Sequence, residues 1–239
     1  MELSPRLFSN RADLGIQPEM LKEDRYRNFA VPVFKARSMQ CELTGLKLAG
    51  DPESMEHGAL RLEWRDPKAE KKTLNSKSVR VLDGQVYWAR HIDQALEQDA
   101  GTLIFAPWLD QKWILALFRM AMIVKSDPSA KEIESADAIL GIFHNLRQSE
   151  LMVTALGLDG EVDGWDAKQW LEGIKDLPIK QRKAYIMRFG KHVRYLPSVT
   201  ACKPLTKIWR QTWGLPESGK TDHWQAETVK WYQKVIATV

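Results

Sequence analysis

Residues 102–124 read Thr-Leu-Ile-Phe-Ala-Pro-Trp-Leu-Asp-Gln-Lys-Trp-Ile-Leu-Ala-Leu-Phe-Arg-Met-Ala-Met-Ile-Val, and they join two kinds of predicted structure. The first four residues are typical of a strand, which Pro107 ends, whereas residues 109–124 have the length and apolar content of a mostly buried helix. Our strand predictions all precede this helix, and beyond residue 127 we predict only helices. The sequence thus predicts an α+β fold, with an N-terminal mixed α/β domain of short antiparallel strands (1–127) and a C-terminal helical bundle (128–239).

Toward the N-terminus, alternating apolar and polar residues predict a strand at 59–64. Asp83-Gly84 is a strong hairpin signal, and it predicts a turn between strands at 79–82 and 86–88. The remaining predictions here are an extended segment at 29–34, where Pro32 restricts the residue before it, a turn between short strands at 41–50, and a short helix at 91–98.

Toward the C-terminus, Asp127 and Pro128 have the residue types of an N-cap and a first helical position. They predict a helix whose apolar spacing continues until Gly157. Further helices are predicted at about 163–175, 179–195, 204–213 and 222–237.

The forty residues 177–216 contain no acid and nine Lys or Arg. The whole chain has a net charge of only +4, so the positive charge is concentrated in this stretch. A field of one sign is costly to maintain without a negative partner, and phosphate is the usual partner of such a field. The stretch therefore predicts a nucleic-acid-binding surface.

The helix predicted at 179–195 has two different faces at a spacing of about 3.6 residues per turn. Lys180, Lys183, Met187, Lys191 and Arg194 share one face, and the opposite face is apolar and suited to a core. We predict that phosphates are contacted by Lys180, Lys183, Arg188, Lys191, Arg194, Lys203, Lys207 and Arg210. A merely solvated helix, an acidic protein partner and a membrane surface remain as alternatives.

Aromatic residues lie among these cations. Trp209 and Trp213 are one turn apart and flank Arg210. They have the spacing to stack on bases, but we favour packing in the core.

One segment matches the P-loop pattern of nucleotide hydrolases, Gly214-Leu-Pro-Glu-Ser-Gly-Lys-Thr221. A working P-loop needs a strand before it and an acidic Mg²⁺ ligand on another strand. The preceding residues are predicted to be helical, and 18 residues follow in the sequence. We interpret the segment as a turn between helices, with Gly214 as the C-cap. A phosphate of a bound nucleic acid is the ligand that such a turn could still hold.

The two cysteines, Cys41 and Cys202, have no partner at metal-ligand spacing. Cys41-Glu-Leu-Thr-Gly45 with His57 and Asn75 is reminiscent of the turns that open zinc modules and HNH nucleases, but the further ligands are absent. We therefore predict no metal, no cofactor and no enzymatic activity, with a degenerate HNH-like nuclease as the enzymatic alternative.

The N-terminus has no apolar segment after a basic start, and the longest apolar run is too short to span a bilayer. These features predict a cytoplasmic protein that does not associate with a membrane.

The order of parts resembles the large subunit of type IV CRISPR effector complexes. The resemblance is carried by residues 41–45, by His57-Gly-Ala-Leu60 leading into a strand, and by the helical half with its basic face. It extends over nearly the whole chain as architecture, with one short motif. Zinc-bearing members of that family have four cysteines in this region, whereas this chain has Cys41 alone.

The resemblance implies a non-catalytic subunit of an RNA-guided, DNA-targeting complex that acts in defence against viruses or plasmids. Such a subunit binds guide RNA or target DNA beside other protein subunits, recognises the duplex that flanks the target, and holds the separated strands. By this analogy Lys71, Lys72 and Lys77 contact duplex DNA. An adaptor of a secretion or conjugation machine is the other alternative, because the ten Trp and the amphipathic helices also suit protein docking.

Overall fold

The structure is a computed structural model, and it describes residues 24–51, 58–66, 75–127, 130, 132–147, 149–157, 166–213 and 215. Its helices are α1 (Asp24–Ala36), α2 (Gly84–Arg90), α3 (Ile92–Glu97), α4 (Gln111–Lys125), α5 (Ile133–Asn145), α6 (Ser149–Leu156), α7 (Ala167–Lys175), α8 (Ile179–Phe189), α9 (Val199–Cys202) and α10 (Thr206–Thr212). The 3₁₀ turns are Gly190–His192 and Lys203–Leu205. The strands are β1 (Leu60–Trp64), β2 (Val79–Asp83), β3 (Gly101–Phe105) and β4 (Val193–Pro197).

The strands form two small antiparallel sheets, β1 with β2 and β3 with β4. In the second sheet Gly101 is opposite Pro197 and Phe105 is opposite Val193. The mixed α/β class is thereby confirmed, but the expectation of no strand beyond residue 127 is wrong. The predicted helix 179–195 ends at Phe189, and its last residues form β4, where alternate side chains such as Val193 and Tyr195 are fully buried.

The predicted hairpin at Asp83-Gly84 is also wrong. The Asp83 carboxylate accepts a hydrogen bond of 2.7 Å from the Gln85 amide and so caps α2, which replaces the strand predicted at 86–88. A side chain at Gly84 would place its Cβ 2.3 Å from the Gly58 carbonyl oxygen, so this position requires glycine for close packing. The partner of β2 is β1, reached through the longer connection over residues 65–78.

Residues 29–34, which we predicted to be extended, belong to α1. Ala30, Val33 and Phe34 follow helical spacing and are buried, whereas Pro32 is exposed. Burial of this apolar face outweighs the backbone hydrogen bond that Pro32 cannot donate.

Asp127 does not cap a helix as predicted. It is fully buried, its carboxylate accepts a hydrogen bond of 3.1 Å from Arg210 Nη2, and α5 begins only at Ile133. The single helix predicted here is also wrong, because α5 ends at Asn145 and α6 begins at Ser149. The predicted helix end at Gly157 is confirmed, since this residue follows α6 with a φ of 62°, in the left-handed region that glycine favours.

One cluster of buried apolar residues extends across the predicted boundary at 127/128. The β3–β4 sheet joins the two sides of that boundary, and α10 packs on α4. The C-terminal helical bundle is not confirmed, since β4 lies among the helices beyond residue 127. The helix predicted at 222–237 and most of the P-loop-like segment lie outside the described residues. In the described part of the chain, every helix is too short or too polar to cross a bilayer.

Candidate nucleic-acid interface

Helix α8 is fixed to the protein by one face. Tyr185 Oη donates a hydrogen bond of 2.7 Å to the Leu156 carbonyl and accepts one of 3.0 Å from Trp170 Nε1, so it joins α8 to α6 and α7. The pKa of Tyr185 is raised, because burial disfavours the phenolate more than the Trp170 hydrogen bond stabilises it. Phe189 packs over Gly157, where an added Cβ would lie 2.4 Å from the ring. The apolar face predicted for this helix is therefore confirmed as far as Phe189.

The opposite side of α8 and the 3₁₀ turn after it carry exposed cations. These residues are Lys180, Lys183, Arg188 and Lys191, which we call the basic face. None of the four forms an ion pair with a residue that the structure describes. Arg182 is different, because it donates to the Lys175 and Leu177 carbonyls and thereby satisfies the end of α7.

Two residues of the predicted contact set have structural positions instead. Arg194 lies in β4, and its Nε donates a hydrogen bond of 2.7 Å to the Leu109 carbonyl while Nη1 donates one of 2.9 Å to the Lys191 carbonyl. Arg210 is 7% exposed and pairs with Asp127. The helical spacing that grouped Arg194 with Lys191 does not apply, because the backbone becomes extended at Val193.

The other predicted cations are spread over separate elements. Lys203 and Lys207 are exposed on the second 3₁₀ turn and on α10. Lys77 is exposed in the turn before β2, where the Asn75 side chain accepts a hydrogen bond of 2.9 Å from the Lys77 amide. Lys71 and Lys72 lie outside the described residues.

The two tryptophans that we considered for base stacking are both buried. Trp209 and Trp213 pack in the core beneath Arg119, whose guanidinium lies 5.3 and 5.8 Å from their ring centroids. Sequence reasoning missed Trp108, which is 63% exposed in the turn between β3 and α4. The only signal was its place directly after Pro107, where the chain leaves a buried strand.

Two buried polar clusters lie in the N-terminal half. Arg119 Nη2 donates to the Asp83 carboxylate at 2.6 Å and to Gln85 Oε1 at 2.8 Å. The Glu63 carboxylate accepts bonds of 2.8 Å from both Arg90 and His91, and it also pairs with Arg80. The carboxylates of Asp83 and Glu63 are thus each paired with cations of the protein itself. These clusters therefore stabilise the fold and are not open to a ligand.

Burial alone would raise the pKa of Glu63, but the hydrogen bonds from His91 and Arg90 outweigh it and lower the pKa from 4.5 to about 2. A carboxyl whose pKa is lower in the folded state stabilises the fold above its unfolded pKa. That stabilisation, about 3 kcal/mol, is lost as the pH falls from about 4.5 to about 2.

We therefore expect Glu63→Gln to destabilise the protein at pH 7 and to remove much of its loss of stability between pH 4.5 and pH 2. Urea unfolding at several pH values measures both effects. If the wild type and the variant lost stability in parallel through this range, Glu63 would not be the group responsible.

Both cysteines are buried and free of disulfide bonds. Burial raises the pKa of Cys202 to about 12, although the Gln85 hydrogen bond opposes the shift, so its thiol stays protonated at neutral pH. Cys41 is fully buried. No group of three or more His, Cys, Asp or Glu lies close enough to hold a metal in the part of the chain that the structure describes, and His57 of the HNH-like hypothesis lies outside it.

A cleft of about 370 Å³ lies between the end of α5, the start of α7 and the start of β3. His144, Arg147 and Lys168 line it together with Asp99 and Asp166, and Lys168 Nζ lies 2.7 Å from an Asp99 carboxylate oxygen. Its walls thus carry both signs of charge, in contrast to the basic face.

Comparison with known proteins adds no family. The chain matches no protein-family model and no curated protein. Its function must accordingly be argued from the residues themselves.

Proposed function

We propose that this protein is a non-catalytic nucleic-acid-binding subunit of a larger complex, and that the basic face contacts the phosphates. The observation that carries the proposal is the exposure of Lys180, Lys183, Arg188 and Lys191 without an ion pair in the described residues. Elsewhere on the protein, Lys125, Lys168 and Lys175 each pair with a carboxylate. The cations of the basic face have no such carboxylate partner among the described residues, so the phosphates of a ligand can neutralise their charge.

The geometry of α8 suits a backbone-directed ligand. Its rise of about 1.5 Å per residue separates Lys180 from Arg188 by roughly 12 Å along the helix axis, and Lys191 follows in the 3₁₀ turn. Several successive phosphates of a strand occupy such a length. Because Tyr185 and Phe189 fix the opposite side of the helix, the cations are presented by a rigid element. Lysine and arginine contacts to phosphate carry no sequence information, so we expect binding with little dependence on base sequence.

The setting that we propose is a cytoplasmic ribonucleoprotein that targets DNA through a guide RNA, in line with the resemblance to the type IV CRISPR large subunit. In that setting the basic face holds a separated strand or the RNA–DNA heteroduplex, while Lys71, Lys72 and Lys77 contact the flanking duplex. Other protein subunits position the guide.

A second candidate is an adaptor of a secretion or conjugation machine. It is favoured by Ile179 and Met187, which are 69% and 82% exposed on α8. Exposed apolar side chains beside cations also suit an amphipathic acidic partner.

The experiment that separates the two candidates is a binding titration of the purified protein at one salt concentration. Fluorescence anisotropy is measured with single-stranded DNA, duplex DNA and RNA of the same sequence, and with polyglutamate of equal charge. Our proposal predicts that at least one nucleic acid binds much more tightly than polyglutamate. Binding of polyglutamate alone, or equal binding of all four polymers, would contradict it and favour an acidic protein partner.

A further inference from the structure

The exposed ring of Trp108 is held in a fixed position by the residues around it. Arg194 donates hydrogen bonds to the carbonyls on both sides of this residue, 3.3 Å to Pro107 and 2.7 Å to Leu109. Phe105 meets the indole edge-on, with ring centroids 5.5 Å apart, and His192 stacks on Phe105 at 6.4 Å. Although Trp108 is 63% exposed, its turn is thus tied to β4 and supported by a second aromatic ring.

The same arrangement connects Trp108 to the basic face. Arg194 Nη1 also donates to the carbonyl of Lys191, the last member of that face, and the Ala106 amide donates to the His192 carbonyl at 3.2 Å. Lys112, in the first turn of α4, follows Trp108 by four residues, and the acid Asp110 lies between them at the N-cap of the helix. The turn that carries this exposed ring therefore lies next to the end of the basic face.

We propose that Trp108 is a base-stacking platform and that the ligand of this surface is a single-stranded nucleic acid. The inference rests on the proposed function, since the basic face supplies the phosphate contacts that bring a strand to the ring. An indole can stack on any base whose face is free, and this contribution is independent of sequence. In an intact duplex both faces of each internal base are covered, so Trp108 gives selectivity for unpaired strands.

The test compares Trp108→Ala and Trp108→Phe with the wild-type protein. Each is titrated with a single-stranded oligonucleotide and with a blunt duplex of the same sequence, in DNA and in RNA. Trp108→Ala is expected to weaken single-strand binding about 10- to 100-fold and to change duplex binding less than about twofold. Trp108→Phe retains a ring and is expected to keep most of the single-strand affinity.

Ile142→Ala is the matched control, because Ile142 is 59% exposed on α5 and lies outside the acid-free stretch. It should bind like the wild type, and thermal melting should show that all three variants are folded. Unchanged single-strand binding by Trp108→Ala, or an equal loss for both ligands, would overturn the stacking platform. If the basic face still proved necessary for binding, the proposed function would stand alone, whereas a wild type that bound no nucleic acid would overturn both.

Discussion

Replacing the four residues of the basic face by alanine is expected to weaken nucleic-acid binding by about three orders of magnitude at 0.1 M salt. Each phosphate contact contributes roughly 0.7 to 0.9 to the dependence of log affinity on log salt, depending on whether the strand is single or paired. Four lost contacts therefore remove about three logarithmic units between 1 M and 0.1 M salt. The measurement is the dissociation constant by anisotropy, for the wild type and the variant in the same buffer.

Folding should survive this change, because all four positions are exposed and alanine is a strong helix former. A control that removes the same charge elsewhere separates a local surface from a general electrostatic effect. Lys35, Lys47, Arg65 and Lys125 are exposed and lie outside the acid-free stretch. Their joint replacement by alanine should reduce affinity far less. Equal losses for the two variants would mean that net charge, and not the basic face, governs binding.

Arg119→Met is expected to destabilise the protein by about 3–5 kcal/mol. Arg119 is 4% exposed, and it is bonded to the Asp83 carboxylate and the Gln85 side-chain oxygen. Methionine fills much of the volume but leaves the Asp83 carboxylate buried without its cation. Because Arg119 also lies over Trp209 and Trp213, the loss extends to the packing of α4 on α10. The free energy of unfolding from urea titrations measures the effect.

A second variant shows whether the buried charge is the cause. Asp83→Asn can still accept the capping bond from the Gln85 amide, and it removes the negative charge. The double variant Asp83→Asn/Arg119→Met should thus be more stable than Arg119→Met alone. Lys125→Met, which breaks the exposed pair with Asp137, should cost less than about 1 kcal/mol. If the double variant were the less stable one, packing by Arg119 would explain the loss better than charge.

Local patterns predicted much of the fold. Alternating residues located β1 and the apolar run located α4, since each pattern depends on residues that are near in sequence. The strand β4 was missed because it forms only by pairing with β3, about ninety residues earlier, and because the amphipathic spacing of α8 continues into it. The hairpin prediction at Asp83-Gly84 was wrong for a similar reason. The close approach of Gly58 and the contact of Asp83 with Arg119 involve residues that are distant in sequence, so a local pattern does not contain them.

The candidate site was predicted in part. Exposure of Lys180 and Lys183 followed from the amphipathic spacing of α8, whereas Arg188 and Lys191 were predicted as contacts within the acid-free stretch. Composition could not distinguish these residues from Arg210, because the partner of Arg210 is the distant Asp127. Trp108 was missed because its place after Pro107 is a weak signal, and a local pattern does not show which Trp side chains stay outside the core.

The most direct test of the basic face as a phosphate-binding surface is the slope of log affinity against log salt, measured for the wild type and for the four-alanine variant with the same single-stranded oligonucleotide. We predict a steep negative slope for the wild type, and a slope for the variant that is shallower by about three units, because each of the four lost contacts to a single strand contributes roughly 0.7. Two parallel lines would contradict this account, because they would show that these four cations do not neutralise phosphates in the complex.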